Sequence, residues 1–302
     1  MQTVMITFIT LVAFAANSVL CRWALMDQTI DPLSFSIVRI ISGALTLLIL
    51  LTLSSHSKSR EELVNNDKSV ETKLKLQFQF TSILSLLVYM FGFSFAYLEL
   101  GAGLGALVLF VAVQFTMIAA HLLAGNRMSL LEWCGCLLSV SGLVYLLMPT
   151  ESTSSPDITS IILMTLAGIG WGIYTLAGKK STNALQSTTA NFAFSSLVLL
   201  VLLSLLVVIP NVASKISITE QGLLYAILSG SVASGVGYSL WYYVVKKLDT
   251  VVASIAQLSV PVIATLGGVL LLSEPVTMQF IISSTVILLG ISLVLVAPKL
   301  KK

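Results

Sequence analysis

Gly125-Asn126-Arg127, with the apolar run that carries on to Gly142, comes back 148 residues later as Ser273-Glu274-Pro275 with a run to Gly290. The same offset holds outward from this stretch. Residues 76–148 lie over residues 224–296, with Leu100 on Leu248 and Phe93 on Trp241. A hydrocarbon core is crossed by roughly 20 apolar residues in a helix, and each copy of the unit reads as five such runs. An odd number of spans forces the second copy to sit upside down relative to the first. Inverted repeats of this kind are the pattern of transporters that work by alternating access.

Composition agrees with a membrane chain. Hydrophobic residues are 57% of the 302 and charged residues 10%, against about 25% charged in soluble domains. The reading is an all-α polytopic membrane protein, with ten transmembrane helices as two inverted five-helix repeats around a central cavity. The spans fall at about 4–26, 33–54, 77–98, 103–124, 130–148, 158–178, 188–209, 221–245, 252–272 and 277–297. Asp31-Pro32, Gly101-Ala-Gly103, Gly125-Asn126, Ser154-Ser-Pro156, Pro210-Asn211 and Glu274-Pro275 punctuate them. The first repeat is residues 1–148, a serine-rich linker is 149–157 and the second repeat is 158–302. The loop at about 55–76 is highly charged. The first apolar stretch lacks a basic leader and reads as a retained span.

Basic residues orient the helices. Lys58, Arg60, Lys68, Lys73, Lys75, Arg127, Lys179, Lys180, Lys246, Lys247, Lys299, Lys301 and Lys302, 13 of the 16, fall on one side. Lys215 and Arg22 fall toward the other, and Arg39 lies within the second span. The positive-inside rule then puts both termini in the cytoplasm, the location being the inner (plasma) membrane. Without a basic stripe interleaved with aromatics, nucleic acid is excluded as a partner. Cys21, Cys134 and Cys136 read as small buried apolar residues. With only His56 and His121 besides, no metal framework and no cofactor is expected. An enzyme would need a cluster of acids, or a nucleophile beside a base, and none is visible. His121 reads as a packing histidine.

Polar and aromatic residues inside the spans are the candidates for binding, because lipid does not accommodate them cheaply. Arg39 sits about two turns into the second helix, where an unpaired arginine costs about 2.5–3.5 kcal/mol. It either reaches the outer interface or pairs with Asp31 or Glu99, or it recognises a carboxylate or phosphate beside the solute path. Asn17 and Gln257 sit mid-span as polar contacts or as glue between helices, and Gln114 presents the same choice. Pro261 removes the amide that would bond the carbonyl of Gln257, a helix break in the ninth span. Tyr89, Phe93 and Tyr97 recur every four residues on one face. Trp171 with Tyr174, and Tyr238 with Trp241, share faces of the sixth and eighth helices. An interfacial belt is the other reading of such aromatics, and it fits Tyr97 and Tyr243. No Asp or Glu falls mid-span, so no carboxylate relay is present at the midplane.

Taken together these stretches resemble the EamA-domain members of the drug/metabolite transporter superfamily. Gln257-Leu-Ser-Val-Pro261 through Leu271-Leu-Ser-Glu274-Pro275 is similar to the family's Q-L-x-x-P…L-G-E-P pattern, with Gly290 following. Tyr242-Tyr243-Val-Val-Lys246-Lys247-Leu248 resembles the stretch that ends the eighth helix. Pro32-Leu-Ser-Phe-Ser-Ile-Val-Arg39 resembles the second-helix pattern with its arginine. The first repeat departs from the pattern, with Val113 in place of the proline and Asn126 in place of the glutamate. The resemblance implies a basket of ten helices whose first, third, fourth, sixth, eighth and ninth line a cavity, with the fifth and tenth peripheral. It also implies export of amino acids and related metabolites, some members moving drugs or nucleotide sugars.

The expected function is a secondary transporter exporting small metabolites, amino acids or their derivatives, by rocking of the two halves. The alternatives are a multidrug or lipid-linked substrate exporter of the same fold, and a non-transporting membrane partner subunit. Expected partners are a small-molecule solute and the bilayer. Proton or counter-solute coupling is left open, and a monomer is expected.

Overall fold

A computed structural model describes residues 2–65, 79–125, 127–148, 156–206, 216–248 and 256–296. Asn126, Lys68, Lys73, Lys75, Lys215, the C-terminal lysines, the second half of the charged loop and most of the linker lie outside the described residues.

Helices α1 Gln2–Met26, α2 Pro32–Asn65, α3 Phe80–Ala96, α4 Ala102–Leu123 and α5 Leu130–Leu147 come first. They are followed by α6 Ile158–Lys179, α7 Ala184–Leu206, α8 Glu220–Val245, α9 Ser259–Leu272 and α10 Met278–Val296. Among the described residues no β-strand forms; the only bridge pairs Ile30 with Ile218. Seven of the helices, α1, α2, α4, α5, α6, α7 and α8, contain a stretch long and apolar enough to cross a membrane; α3, α9 and α10 are shorter apolar helices. Leu45, Ile49, Leu84, Leu137, Leu200, Leu270 and Leu289 are exposed on the outside of the bundle. A water-soluble protein rarely leaves so much apolar surface uncovered; this is an integral membrane protein.

The caps follow from local chemistry. Asp31 accepts the amide of Ser34 while Pro32 opens α2, because a first-turn proline gives up only an amide that no helix bond would use. Ser129 and Glu132 form a reciprocal capping box on α5. The chain leaves α4 through Gly125 at φ 82° and leaves α9 through Ser273 at φ 54°. These two positions are repeat-related, and only the first holds glycine. A side chain in this left-handed region costs about 1–2 kcal/mol. Ser273→Gly is therefore expected to stabilise the protein by about 1 kcal/mol, read as a higher thermal midpoint in detergent; a lower midpoint would contradict the strain.

Packing partners exchange when every helix number is advanced by five. The pair α3·α6 becomes α8·α1, and α4·α6 becomes α9·α1, and all four contacts occur. The pairs α5·α10, α4·α9 and α2·α7 map onto themselves and also occur. In α5·α10, Ser139 Oγ donates to the carbonyl of Ile287, exactly one repeat offset away, at 3.3 Å. A Cβ at Gly290 would stand 2.6 Å from the Gly135 carbonyl oxygen, so this crossing depends on small residues.

Several expectations change. Helix α2 runs on to Asn65, well past the span at 33–54, and α3 is shorter than 77–98. Tyr97 is no belt residue: it is fully buried, its ring 4.6 Å from that of Phe93. Cys134 is exposed, unlike Cys21 and Cys136. His121 is exposed on the last turn of α4.

Candidate functional site

Four helices, α1, α2, α3 and α8, meet around Arg39. Its side chain is fully buried, and it neither reaches the interface nor pairs with Asp31 or Glu99. Asp31 is engaged by the amides of Ser34 and Ser217, and Glu99 is exposed. Arg39 turns inward from α2. Its Nε donates to Ser234 Oγ at 2.9 Å, and its Nη2 donates to the hydroxyl oxygens of Tyr238 at 2.7 Å and Tyr89 at 3.0 Å. Its guanidinium also lies over the Phe93 ring, 4.7 Å from the centroid, a cation–π contact.

Asn17 on α1 closes the cluster. Its Nδ2 donates to Tyr238 at 3.1 Å and to Tyr89 at 3.3 Å, and its Oδ1 accepts from Ser229 Oγ. The two tyrosine hydroxyls bond each other at 2.7 Å. Asn17, Arg39 and Tyr89 come from the first half, Ser229, Ser234 and Tyr238 from the second.

The two serines reach the cluster because of the backbone. Ser229–Val236 is a π-helical turn inside α8. Residues five apart diverge by about 140° on an α-helix. They come close to one face when the hydrogen bonds run i to i+5. Ser229 and Ser234 are five apart, and both point at the cluster.

An aromatic layer packs on this knot. Trp171 on α6 is the hub, its ring 4.6 Å from Tyr238, 5.1 Å from Tyr89, 5.2 Å from Phe14 and 5.6 Å from Tyr174. Its Nε1 donates to Gln257 Oε1 at 3.4 Å. Trp241 joins through Phe14, at 5.6 Å. Phe93 and Trp241, related by the repeat, thus touch different neighbours. Tyr174 bonds inward to Tyr242, which donates to its carbonyl at 2.9 Å. All of these side chains are buried, so they fill the centre against one another. Pro261, expected mid-helix, stands in the first turn of the described α9; residues 256–257 are helical and a turn at 258 separates them.

Sequence reasoning left out Phe14, Ser229 and Ser234 as members of the site. The resemblance also left the second helix out of the lining, whereas Arg39 brings α2 to its middle. The signal for the serines was the run Ser229-Gly-Ser-Val-Ala-Ser234-Gly-Val-Gly237, small residues that permit the π turn and close packing.

Away from the knot, Arg22 and Glu274 form an ion pair at 3.2 Å, each about 15% exposed. Arg22 also donates to the carbonyls of Tyr97 and Leu98, where α3 ends. Glu274 accepts the amide of Ala102, where α4 begins. The pair therefore ties the end of α1 to the α3–α4 and α9–α10 connections, and it lines a cavity of about 320 Å³ with Thr265 and Phe280.

The family described as the EamA-like transporter family matches this chain twice, over residues 1–148 and 158–296. The chain belongs to that family. This EamA-like protein is a membrane transporter. It is 38% identical to an uncharacterised protein of Pseudomonas aeruginosa, over 99% of this chain and 96% of the other. It is 25% identical to an uncharacterised transporter of Archaeoglobus fulgidus, over 63% of this chain and 66% of that one. An uncharacterised transporter of Bacillus subtilis is 21% identical over 62% and 64%. A solved crystal structure shares the fold, with a TM-score of 0.59 and 17% identity, over 95% of this chain and 96% of that one.

Proposed function

We propose that this EamA-like transporter exports small metabolites, amino acids or their derivatives, across the cytoplasmic membrane by alternating access. Ten helices span the bilayer as two inverted repeats of five, with both termini in the cytoplasm. The exchange of packing partners, the left-handed exits at Gly125 and Ser273, and the one-sided lysines and arginines support this arrangement. The knot of Arg39, Asn17, Tyr89, Ser229, Ser234 and Tyr238 is the observation that carries the proposal. It is a buried polar cluster assembled from both halves, and intramembrane polar groups mark solute pathways.

In this orientation the Arg22–Glu274 pair lies on the outer side. So does the pairing of Asp31 with Ser217 and of Thr219 with Thr29. The described conformation is then closed toward the outside, and rocking of the halves parts these contacts. The test is uptake and efflux in proteoliposomes across a panel of amino acids, their derivatives and related metabolites. The expected result is saturable movement of at least one. Folded, inserted protein that moves none of them would end this reading.

A further inference from the structure

We infer that the central site takes its solute as a carboxylate anion, docked on Arg39; this rests on the transport reading above and names the chemistry of its substrate. The knot holds too many protons to satisfy itself. Arg39 brings five N–H donors and no acceptor, Asn17 brings two donors, and the two tyrosines bring one each. The oxygens that receive them are those of Tyr89, Tyr238 and Ser234. The Asn17 oxygen is already taken by Ser229.

Two donor groups, with three protons between them, are left over. Arg39 Nη1 is buried without a hydrogen-bond partner among the described residues. Of the two tyrosine protons, the bond between the hydroxyls uses one, and the other contacts around Tyr89 come from donors, Arg39 and Asn17. A buried charged donor left unsatisfied is costly.

The knot is short of negative charge as well. Serine, asparagine and tyrosine are neutral at physiological pH, so the guanidinium is the formal charge of the cluster. The acids that a sequence reading would offer it are occupied or distant: Asp31 caps two amides, Glu274 holds Arg22, and Glu132 holds the amide of Ser129. A carboxylate is acceptor-only, singly negative and matched to the guanidinium fork. It supplies both missing quantities at once. The rings of Phe93 and Phe14, packed on Arg39 and on Trp171 in the described conformation, would part to receive an apolar or aromatic body on that carboxylate.

The experiment compares phenylacetate with phenylacetamide, which have one shape and differ in charge, by thermal shift and by titration on the detergent-purified full chain. Phenylacetate at millimolar concentration is expected to raise the midpoint saturably. Phenylacetamide is expected to bind at least about tenfold more weakly, since a charge-assisted hydrogen bond contributes about 1.5–3 kcal/mol. Arg39→Gln is expected to abolish the difference between the two, and Arg39→Lys to keep part of it. Equal binding of the two probes, no binding of phenylacetate, or discrimination that survives in Arg39→Gln would each overturn the inference. The wild-type comparison decides alone if the variants do not fold. Binding in detergent is independent of transport. A chain that moves only neutral solutes in liposomes and does not bind phenylacetate keeps the transport reading and loses this one.

Discussion

Gly230→Ala is expected to leave little folded protein. A Cβ at Gly230 would overlap the carbonyl oxygen of Arg39 and the Ser42 hydroxyl. One of these is backbone, so no rotamer change relieves the clash and α8 must move off α2. Overpacking of this kind costs about 1–3 kcal/mol, and more where backbone is involved. The displacement falls on the π turn that carries Ser229 and Ser234, so the arginine loses partners as well. Gly237→Ala is the control on the same helix. Its Cβ would meet Ala13 at 3.2 Å and Val232 at 3.7 Å, contacts that a small adjustment absorbs. Monodispersity after purification and the thermal midpoint read both variants. Equal behaviour would mean that the α2–α8 contact is looser than described.

Glu274→Ala is expected to open the outer side. The carboxylate holds Arg22 and the first amide of α4. Its removal leaves a largely buried cation without its counter-charge and the Ala102 amide without its acceptor, at a cost of about 2 kcal/mol, below the 3–5 kcal/mol of a fully buried pair because both groups touch solvent and Arg22 keeps its carbonyl partners. Each 1.4 kcal/mol taken from the closed state multiplies the open population by about ten. Cys21, buried and next to Arg22 in the chain, reports the change. In a Cys134→Ser background, which removes the exposed thiol, a membrane-impermeant maleimide added outside is expected to label Cys21 on the order of tenfold faster in Glu274→Ala. Unchanged labelling would show that the pair does not close this side. Replacing Arg22 and Glu274 together by methionine is expected to recover much of the stability, because no charge is then left alone.

Much of the architecture could be read from local chemistry. Asp31-Pro32 announces the start of α2, and Ser129 with Glu132 that of α5, because capping depends on residues next to each other in the chain. Arg39, Asn17 and Tyr89 could be singled out because a polar group in an apolar run needs a reason. Their partners could not. Which face of α8 presents Ser229 and Ser234 depends on a π turn, and the apolar periodicity of a helix carries no sign of it. Tyr97 and Cys134 show the same limit from another side. A helix that is apolar all round has no amphipathic phase, so the sequence does not tell its lipid face from its packed face. Tyr97 proved buried and Cys134 exposed. The pairing of Arg22 with Glu274, 252 positions apart in the chain, is a product of the tertiary fold alone.

The central claim is that a transported solute is held at the Arg39 knot. Efflux from proteoliposomes, run for wild type and for Arg39→Gln on the solute that the wild type moves best, tests it directly. The variant is expected to bring movement down to the level of empty liposomes while its elution profile and helical signal stay those of the wild type. Undiminished efflux through folded Arg39→Gln would place the solute elsewhere in the bundle.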